Sequence, residues 1–390
     1  MDRQPPLTGL DAFASTTLAR LETRGLRRSL AETARGAHGA AARDGQPMQS
    51  FCCNDYLGLS QHANVKRAAR AAIGKYGAGA GASRLVTGNH PLYGALEQRL
   101  ARLKGTEAAL VFGSGYLANL GIPASLVGDG DLIIADALVH ASMHAGMRAS
   151  RARTEFFSHN DMDDCRRLLA SLRDGHWHCL IMTEGVFSMD GDRARLADLC
   201  DLADEFDCWL MTDDAHGLGV IGGGRGSAAE AGVTGRVALQ MGTLSKAVGS
   251  YGGYVCVSQP VRELLVNRAR SLIYATALPP ATVAASIAAL DLIETDAALV
   301  ATPLARARRF TRALRLPPAE SPIVPLIVGG PEAAMEASAA LAARGFLVTA
   351  IRPPTVPDGT ARLRFTFSAM HDETDIDRLV VAVREIGLAP

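Results

Sequence analysis

A chain of 390 residues with 48% apolar side chains is long enough to bury a large core and to divide into more than one unit. Its 40 basic and 40 acidic residues cancel, which argues against a surface built for nucleic acid or for an anionic membrane. No stretch approaches the run of about 18 apolar residues that a membrane-spanning helix needs.

Residues 1 to about 45 read as an N-terminal helix and linker, with Leu18, Leu21, Gly25 and Leu26 forming a helical stripe. Asp2, Arg3, Asp11 and Glu22 interrupt this region, and no signal peptide is expected. Seven cysteines, with Cys52 and Cys53 adjacent and no Cys-x-x-Cys pair, read as free thiols of a reducing cytoplasm. No zinc or other metal site is expected. From 46 to 275, strand-like runs alternate with helical patterns, predicting a large domain with a mainly parallel sheet covered by helices. Ala108–Phe112 is one such run, leading into Gly113-Ser114-Gly115-Tyr116. Leu180–Thr183 is another, leading into Glu184-Gly185-Val186-Phe187-Ser188-Met189-Asp190-Gly191-Asp192. Leu196, Leu199, Cys200, Ala203 and Phe206 have helical spacing between two strands, as in a βαβ unit. Cys208–Thr212 reads as a strand ending in Asp213-Asp214-Ala215-His216, and Val237–Met241 as one ending in Gly242-Thr243-Leu244-Ser245-Lys246. Pro279-Pro280 punctuates the end of this region. Residues 276–390 read as a smaller α+β domain: a helix over 282–294, strands near 323–328, 346–351 and 362–367, and a closing helix over about 375–386.

One pattern is set aside. Gly217-Leu218-Gly219-Val220-Ile221-Gly222 matches the dinucleotide spacing Gly-x-Gly-x-x-Gly. That fingerprint needs a helix opening at the glycines and an acid about 20 residues later. Here Gly223, Gly224 and Gly226 follow, and no Asp or Glu lies between Glu230 and Glu263.

The strand ends carry the chemistry. Open α/β sheets bind ligands at the C-terminal edges of their strands. Lys246 stands just past such an edge, between hydroxyls and glycines. This setting suits a lysine that carries pyridoxal phosphate covalently. That cofactor needs a carboxylate against its pyridine nitrogen, and Asp213 or Asp214 supplies one. His216 reaches the same edge and suits the ring's phenolate oxygen. Small residues at Gly113–Gly115, after a strand and before a helix, let backbone N–H groups approach a phosphate.

These segments, taken together, resemble the α-oxoamine synthases, a family of fold-type I pyridoxal-phosphate enzymes. The resemblance rests on Asn54-Asp55-Tyr56-Leu57-Gly58-Leu59, Gly113-Ser114-Gly115-Tyr116 and Asp136-Ala137-Leu138-Val139-His140-Ala141-Ser142. It continues through the Glu184–Asp192 and Asp213–Gly217 blocks, Thr243–Lys246, Ile273-Tyr274-Ala275-Thr276 and Ile351-Arg352-Pro353-Pro354-Thr355-Val356-Pro357. These blocks run in the family's order from about residue 25 to the C-terminus. The last block and the context of Tyr274 favour the biotin-pathway branch, which joins L-alanine to a pimeloyl thioester.

The resemblance implies residue roles. Lys246 holds the cofactor and moves the substrate's α-proton. Asp213 pairs with the pyridinium, with Asp214 as the alternative one position on. His216 and Ser188 meet the phenolate oxygen, and His140 stacks on the ring. Gly115, Tyr116 and Thr243 hold the phosphate, with Ser245 a further hydroxyl. Arg364 matches the arginine that grips the amino-acid carboxylate, for which a guanidinium fork is well shaped. Arg362, two residues away on the same strand face, is the alternative. Asn54 lies near the same carboxylate, and Arg27 and Thr355 match positions associated with the acyl substrate. Where the family often has a second histidine after Gly-x-His-x-x, this chain has Tyr93 in Gly88-Asn89-His90-Pro91-Leu92-Tyr93.

The implied reaction is a decarboxylative condensation releasing carbon dioxide and the carrier thiol, either acyl carrier protein or coenzyme A. His216 is the proton donor to the neighbouring carbonyl. A cytoplasmic homodimer with active sites at the subunit interface is implied, with no nucleic-acid or membrane partner. Competing readings are an α-oxoamine synthase using glycine and a different acyl-CoA, a pyridoxal-phosphate aminotransferase, and a catalytically silent scaffold.

Overall fold

A computed structural model describes residues 9–388. The chain divides into two units. The larger holds Cys53–Val324 and Thr366–Glu373. The other gathers the described residues before Cys53, Pro325–Phe365 and the described residues after Glu373.

In the smaller unit a helix over Gly9–Thr23 precedes β1 (Thr33–Arg35), β2 (Ala40–Arg43) and β3 (Gln46–Ser50). These three strands pair antiparallel in sequence order. The sequence pattern offers only a linker here, because Ala40-Ala41-Ala42-Arg43 lacks apolar alternation.

The larger unit is organised by a seven-stranded sheet. Its strands are β4 (Ala108–Phe112), β5 (Leu132–Asp136), β6 (Arg153–Phe157), β7 (Cys179–Glu184), β8 (Trp209–Asp213), β9 (Leu239–Thr243) and β10 (Gly253–Val257). The spatial order is β4-β10-β9-β8-β7-β5-β6. Only β10 runs against its neighbours; β9, β8, β7, β5 and β6 are parallel. The mainly parallel α/β architecture expected from the alternating pattern is present.

Alternation along the strands explains the layering. Ala109 and Val111 of β4 face one apolar cluster with Leu96, Leu100, Val283 and Leu290. Leu110 and Phe112 face another, with Ile122, Met143 and Leu265. In β5, Ile133 and Ala135 join that second cluster, whereas Leu132 and Ile134 pack with Leu169, Leu196, Leu199 and Cys200. The helix Leu196–Glu205 is the one read from the sequence, joining β7 to β8.

The remaining strands are β11 (Ile323–Gly329), β12 (Phe346–Leu347), β13 (Thr349–Ile351) and β14 (Ala361–Thr366). The run expected near 346–351 is two strands. β12 pairs parallel with β3, whereas β13 pairs antiparallel with β14 in a second sheet ordered β11-β14-β13. A helix over Glu373–Glu385 follows.

The contiguous boundaries expected at 45 and 275 differ from this division. The β3–β12 pairing joins the N-terminal strands to the C-terminal part of the chain. The helix Pro280–Thr295 buries Val283, Leu290 and Ile293 within the larger unit. Pro280 opens that helix at its first position, where a missing N–H costs nothing. It therefore marks a helix start rather than a domain end.

Among the described residues no helix is long and apolar enough to cross a membrane. None of them cluster as a metal site, and all seven cysteines are free thiols.

Candidate active site

Three strand ends deliver side chains to one cavity of ≈ 210 Å³. β7 ends at Glu184, β8 at Asp213 and β9 at Thr243. Lys246 lies three residues beyond β9. Its Nζ stands 2.6 Å from Nε2 of His216. The other ring nitrogen, Nδ1, stands 2.7 Å from the Tyr56 hydroxyl. Tyr56 donates in turn to Asn54 Oδ1 at 3.3 Å. Amine, imidazole, phenol and amide thus form one chain of polar contacts, and Tyr56 and His216 within it are buried.

Sequence spacing left Asp213 and Asp214 open, and the geometry separates them. Asp213 lines the cavity. Its Oδ2 accepts from Asn119 Nδ2 at 2.7 Å and its Oδ1 from the Ala215 N–H at 3.0 Å. Asp214 is consumed elsewhere. Its Oδ2 meets Lys104 Nζ at 2.7 Å, and its Oδ1 accepts from Ser227 Oγ at 2.6 Å. Both partners of that ion pair are sealed from solvent, with side chains 1% and 2% exposed.

His140 follows β5 and caps the helix Ala141–Ser150, its Nδ1 accepting from the Ser142 N–H at 3.2 Å. Ser142 Oγ also stands 2.7 Å from His140 Nδ1 and accepts from Asn119 Nδ2 at 2.9 Å. Burial lowers the His140 pKa, the Asp213 charge opposes that and Lys246 adds to it. The imidazole is therefore neutral at ordinary pH. Ser188 lines the same cavity. Its backbone N–H donates to Glu184 Oε2 at 3.1 Å.

The helix Gly115–Leu126 starts at the cavity wall. Ser114 caps it, accepting from the Leu117 N–H at 3.2 Å. The first amides of a helix have no partner inside it and attract anions. Thr243 Oγ1 lies beside this end, donating to Gly252 O at 2.8 Å and standing 2.7 Å from Ser245 Oγ. Ser114, Gly115, Tyr116, Thr243 and Ser245 all border the cavity. The donor set fits pyridoxal phosphate. It offers an amine at a strand end, a carboxylate oriented by two N–H donors, and a helix N-terminus flanked by hydroxyls.

The remaining expected residues lie in the smaller unit. Arg362 and Arg364 both sit on β14 and are buried. Arg362 donates to Thr360 O at 3.0 Å through Nε and to Thr360 Oγ1 at 3.3 Å through Nη2. Thr355 Oγ1 accepts from Arg28 at 3.4 Å, whereas Arg27 pairs with Glu22 at 2.7 Å in an exposed bridge. Tyr93 is absent from the cavity lining and buried in the core of the larger unit. Its hydroxyl accepts from the Leu278 N–H at 2.6 Å, and the Arg84 guanidinium lies 4.0 Å from its ring centre.

Sequence reasoning assigned no role to Asn119, Ser142 and Glu184, which line the cavity, or to Tyr56, which contacts His216. Tyr56, Ser142 and Glu184 stand within the quoted motifs. Asn119 is placed by its position one helical turn after Gly115, which is the signal that finds it.

The aminotransferase class I and II family matches residues 46–383. With this fold and this cavity, the chain is a pyridoxal-phosphate-dependent enzyme of fold type I. The 8-amino-7-oxononanoate synthase of Methylorubrum extorquens is 58% identical over 382 residues, covering 98% of this chain and 97% of that one. The protein of that name from Methylobacterium nodulans is 58% identical over 380 residues, covering 97% and 98%. Among solved structures, serine palmitoyltransferase of Sphingomonas wittichii superposes with a TM-score of 0.91 at 30% identity, covering 99% of this chain and all of that one. The 8-amino-7-oxononanoate synthase of Francisella tularensis superposes at 0.73 and 28% identity, covering 87% and 96%. The chain belongs to the 8-amino-7-oxononanoate synthase family.

Proposed function

We propose that this enzyme condenses L-alanine with a pimeloyl thioester, releasing 8-amino-7-oxononanoate, carbon dioxide and the free carrier thiol, as a step of biotin synthesis. The observation that carries the reading is the Lys246–His216 contact of 2.6 Å beside Asp213 in one cavity. It occurs in a chain 58% identical over nearly its full length to proteins of that name.

Pyridoxal phosphate, when bound, supplies an electron sink for the carbanion at the amino acid's Cα. The protein's residues do the rest. Lys246 holds the cofactor and takes the α-proton on Nζ. Asp213, oriented by Asn119 and Ala215, faces the ring nitrogen and keeps it protonated. His216, steadied by Tyr56, hydrogen-bonds the ring's phenolate oxygen together with Ser188, and donates a proton to the carbonyl beside the leaving carboxylate. His140, neutral and flat, stacks on the ring and limits its tilt. Gly115, Tyr116 and Thr243 hold the phosphate. Arg364, with Asn54, grips the amino-acid carboxylate through bidentate hydrogen bonds. Arg27 and Thr355 contact the acyl substrate. Positioning and fixed charge are the protein's share of the rate.

The enzyme works as a cytoplasmic homodimer, and its acyl carrier is acyl carrier protein or coenzyme A. A second reading, condensation of glycine or another amino acid with a different acyl-CoA, draws on the likeness to serine palmitoyltransferase. Product mass decides between them. Purified enzyme with pyridoxal phosphate is incubated with a pimeloyl thioester and either L-alanine or glycine. 8-Amino-7-oxononanoate formed mainly with alanine supports the first reading. Product with glycine alone supports the second, and none with either overturns the first.

A further inference from the structure

Glu184 has no part in the scheme above, yet it lies at the floor of the same cavity. It ends β7, and its partner in parallel register on β8 is Asp213. Residues in register on adjacent strands point to the same side of the sheet. Two buried carboxyl groups therefore stand side by side, where both cannot carry charge cheaply.

Their surroundings decide which one keeps the proton. Both Asp213 oxygens accept N–H donors, from Asn119 and Ala215. Glu184 is more deeply buried, 2% exposed against 5%, and less well supplied. Oε2 accepts from the Ser188 N–H at 3.1 Å, while Oε1 is sealed from solvent without a hydrogen-bond partner. A carboxylate oxygen in that position is costly. A protonated one is a hydrogen-bond donor waiting for an acceptor.

Neighbouring strands are about 4.8 Å apart. A glutamate one strand over from the aspartate that faces the ring nitrogen, with one methylene more of reach, is offset from that nitrogen toward the ring's substituents. The Ser188 amide held by Glu184 belongs to the residue assigned to that same oxygen.

We propose that Glu184 is a neutral carboxylic acid in the resting enzyme, and that its Oε1–H donates a hydrogen bond to the phenolate oxygen of bound pyridoxal phosphate. The inference rests on the cofactor placement proposed above. Burial holds the Glu184 pKa well above the usual carboxylate range; the Asp213 charge pushes the same way, reinforced by Asp136 and opposed by Lys246. The neutral acid has a second consequence. It adds no charge of its own on the strand next to Asp213, the carboxyl that faces the ring nitrogen.

The test compares wild-type enzyme with Glu184→Gln and Glu184→Leu. Gln keeps a donor of the same shape, whereas Leu removes it. Infrared spectra of the wild type should show a carboxylic-acid C=O band that shifts in heavy water and is missing from both variants. This band is read with and without cofactor, so it stands apart from turnover. In the loaded protein, Gln should preserve the ratio of the two visible absorption bands of the cofactor, and Leu should change it. Leu should also weaken cofactor affinity by roughly 10-fold or more, the scale of a hydrogen bond to a charged oxygen. Absence of the acid band, or a Gln spectrum displaced as far as that of Leu, overturns the proposal. A persistent acid band and donor-dependent spectrum in an enzyme that makes no 8-amino-7-oxononanoate would overturn the substrate reading alone.

Discussion

Asp214 Oδ2 lies 2.7 Å from Lys104 Nζ, and this buried pair separates two adjacent aspartates that the sequence presents as equivalent. Removing one partner of such a pair leaves an uncompensated charge in the core, at a cost of about 3–5 kcal/mol. Gly226 closes over it with φ +94°, where a Cβ would fall 1.8 Å from Asp214 Oδ2. Lys104→Met is therefore expected to lower stability by that order, measured by denaturant unfolding. Asp213→Asn should unfold near the wild-type midpoint, bind the cofactor more weakly and lose turnover on the order of 10²–10³-fold. If the stability and activity losses fell on the opposite residues, the two roles would be exchanged.

Lys246 and His216 form the reactive contact, and their variants should fail differently. Lys246→Ala is expected to leave no borohydride-reducible cofactor on the protein, read as intact mass after reduction. A cofactor adduct surviving in that variant would place the covalent link elsewhere. His216→Asn should keep the adduct, because the lysine is untouched, and lose product formation by about 10²–10⁴-fold, the range for a positioned proton donor. Tyr56→Phe should fall between the wild type and His216→Asn, since it removes only the contact that steadies the ring.

Much of this site is visible in the sequence because each chemical group directly follows a short apolar run. Ala108–Phe112 is a strand with the expected limits, and β7, β8 and β9 end at Glu184, Asp213 and Thr243, one, one and two residues beyond the expected ends Thr183, Thr212 and Met241. What local pattern does not contain is the partner from far along the chain. Lys104 lies 110 positions from Asp214, so its claim on that carboxylate appears only on folding. The state of Glu184 is equally non-local, since it follows from burial and from the neighbour that strand register supplies. The ribbon β1–β3 escaped because Ala40–Arg43 and Gln46–Ser50 carry too little apolar alternation to read as strands. Residues 276–324, which the sequence pattern assigns to the C-terminal part, cluster with the larger unit, because the proline pair opens a helix packed there.

Tyr93, standing where the family often has histidine, is a packing residue in this structure. Burial raises its pKa, so the hydroxyl stays neutral. It satisfies the Leu278 amide beneath the Arg84 guanidinium and beside the half-buried His90 ring, 4.9 Å away. Tyr93→Phe keeps the ring and leaves the Leu278 N–H unpaired, a loss of about 1–3 kcal/mol. The expected outcome is a melting temperature lower by a few degrees, with KM and kcat near wild type. A kinetic defect without a melting shift would show that this position reaches the chemistry after all.

His159 gives the structure a pH dependence of known sign. Its Nδ1 stands 3.0 Å from Asp136 Oδ1 and its Nε2 2.8 Å from Asp192 Oδ2. Asn160 reinforces both links, through its N–H to Asp136 at 2.9 Å and its side chain to Asp192 at 3.0 Å. The loop after β5, which carries His140, is thereby tied to the loop after β7, which carries Ser188. Partial burial alone would lower the His159 pKa, but hydrogen bonds and charge from Asp136 and Asp192 outweigh it and raise it from 6.5 to about 10. A group whose pKa rises on folding stabilises the native state fully below its unfolded value and loses that contribution as pH climbs through the folded one. The tie should therefore be strongest below about pH 6.5 and fade toward pH 10. His159→Gln removes the titrating charge, and its stability deficit should be about 1–3 kcal/mol near neutrality. Unfolding both proteins across a pH series should show that deficit shrinking as the wild type loses its proton. A deficit constant to the alkaline end would mean that shape rather than charge joins the two loops.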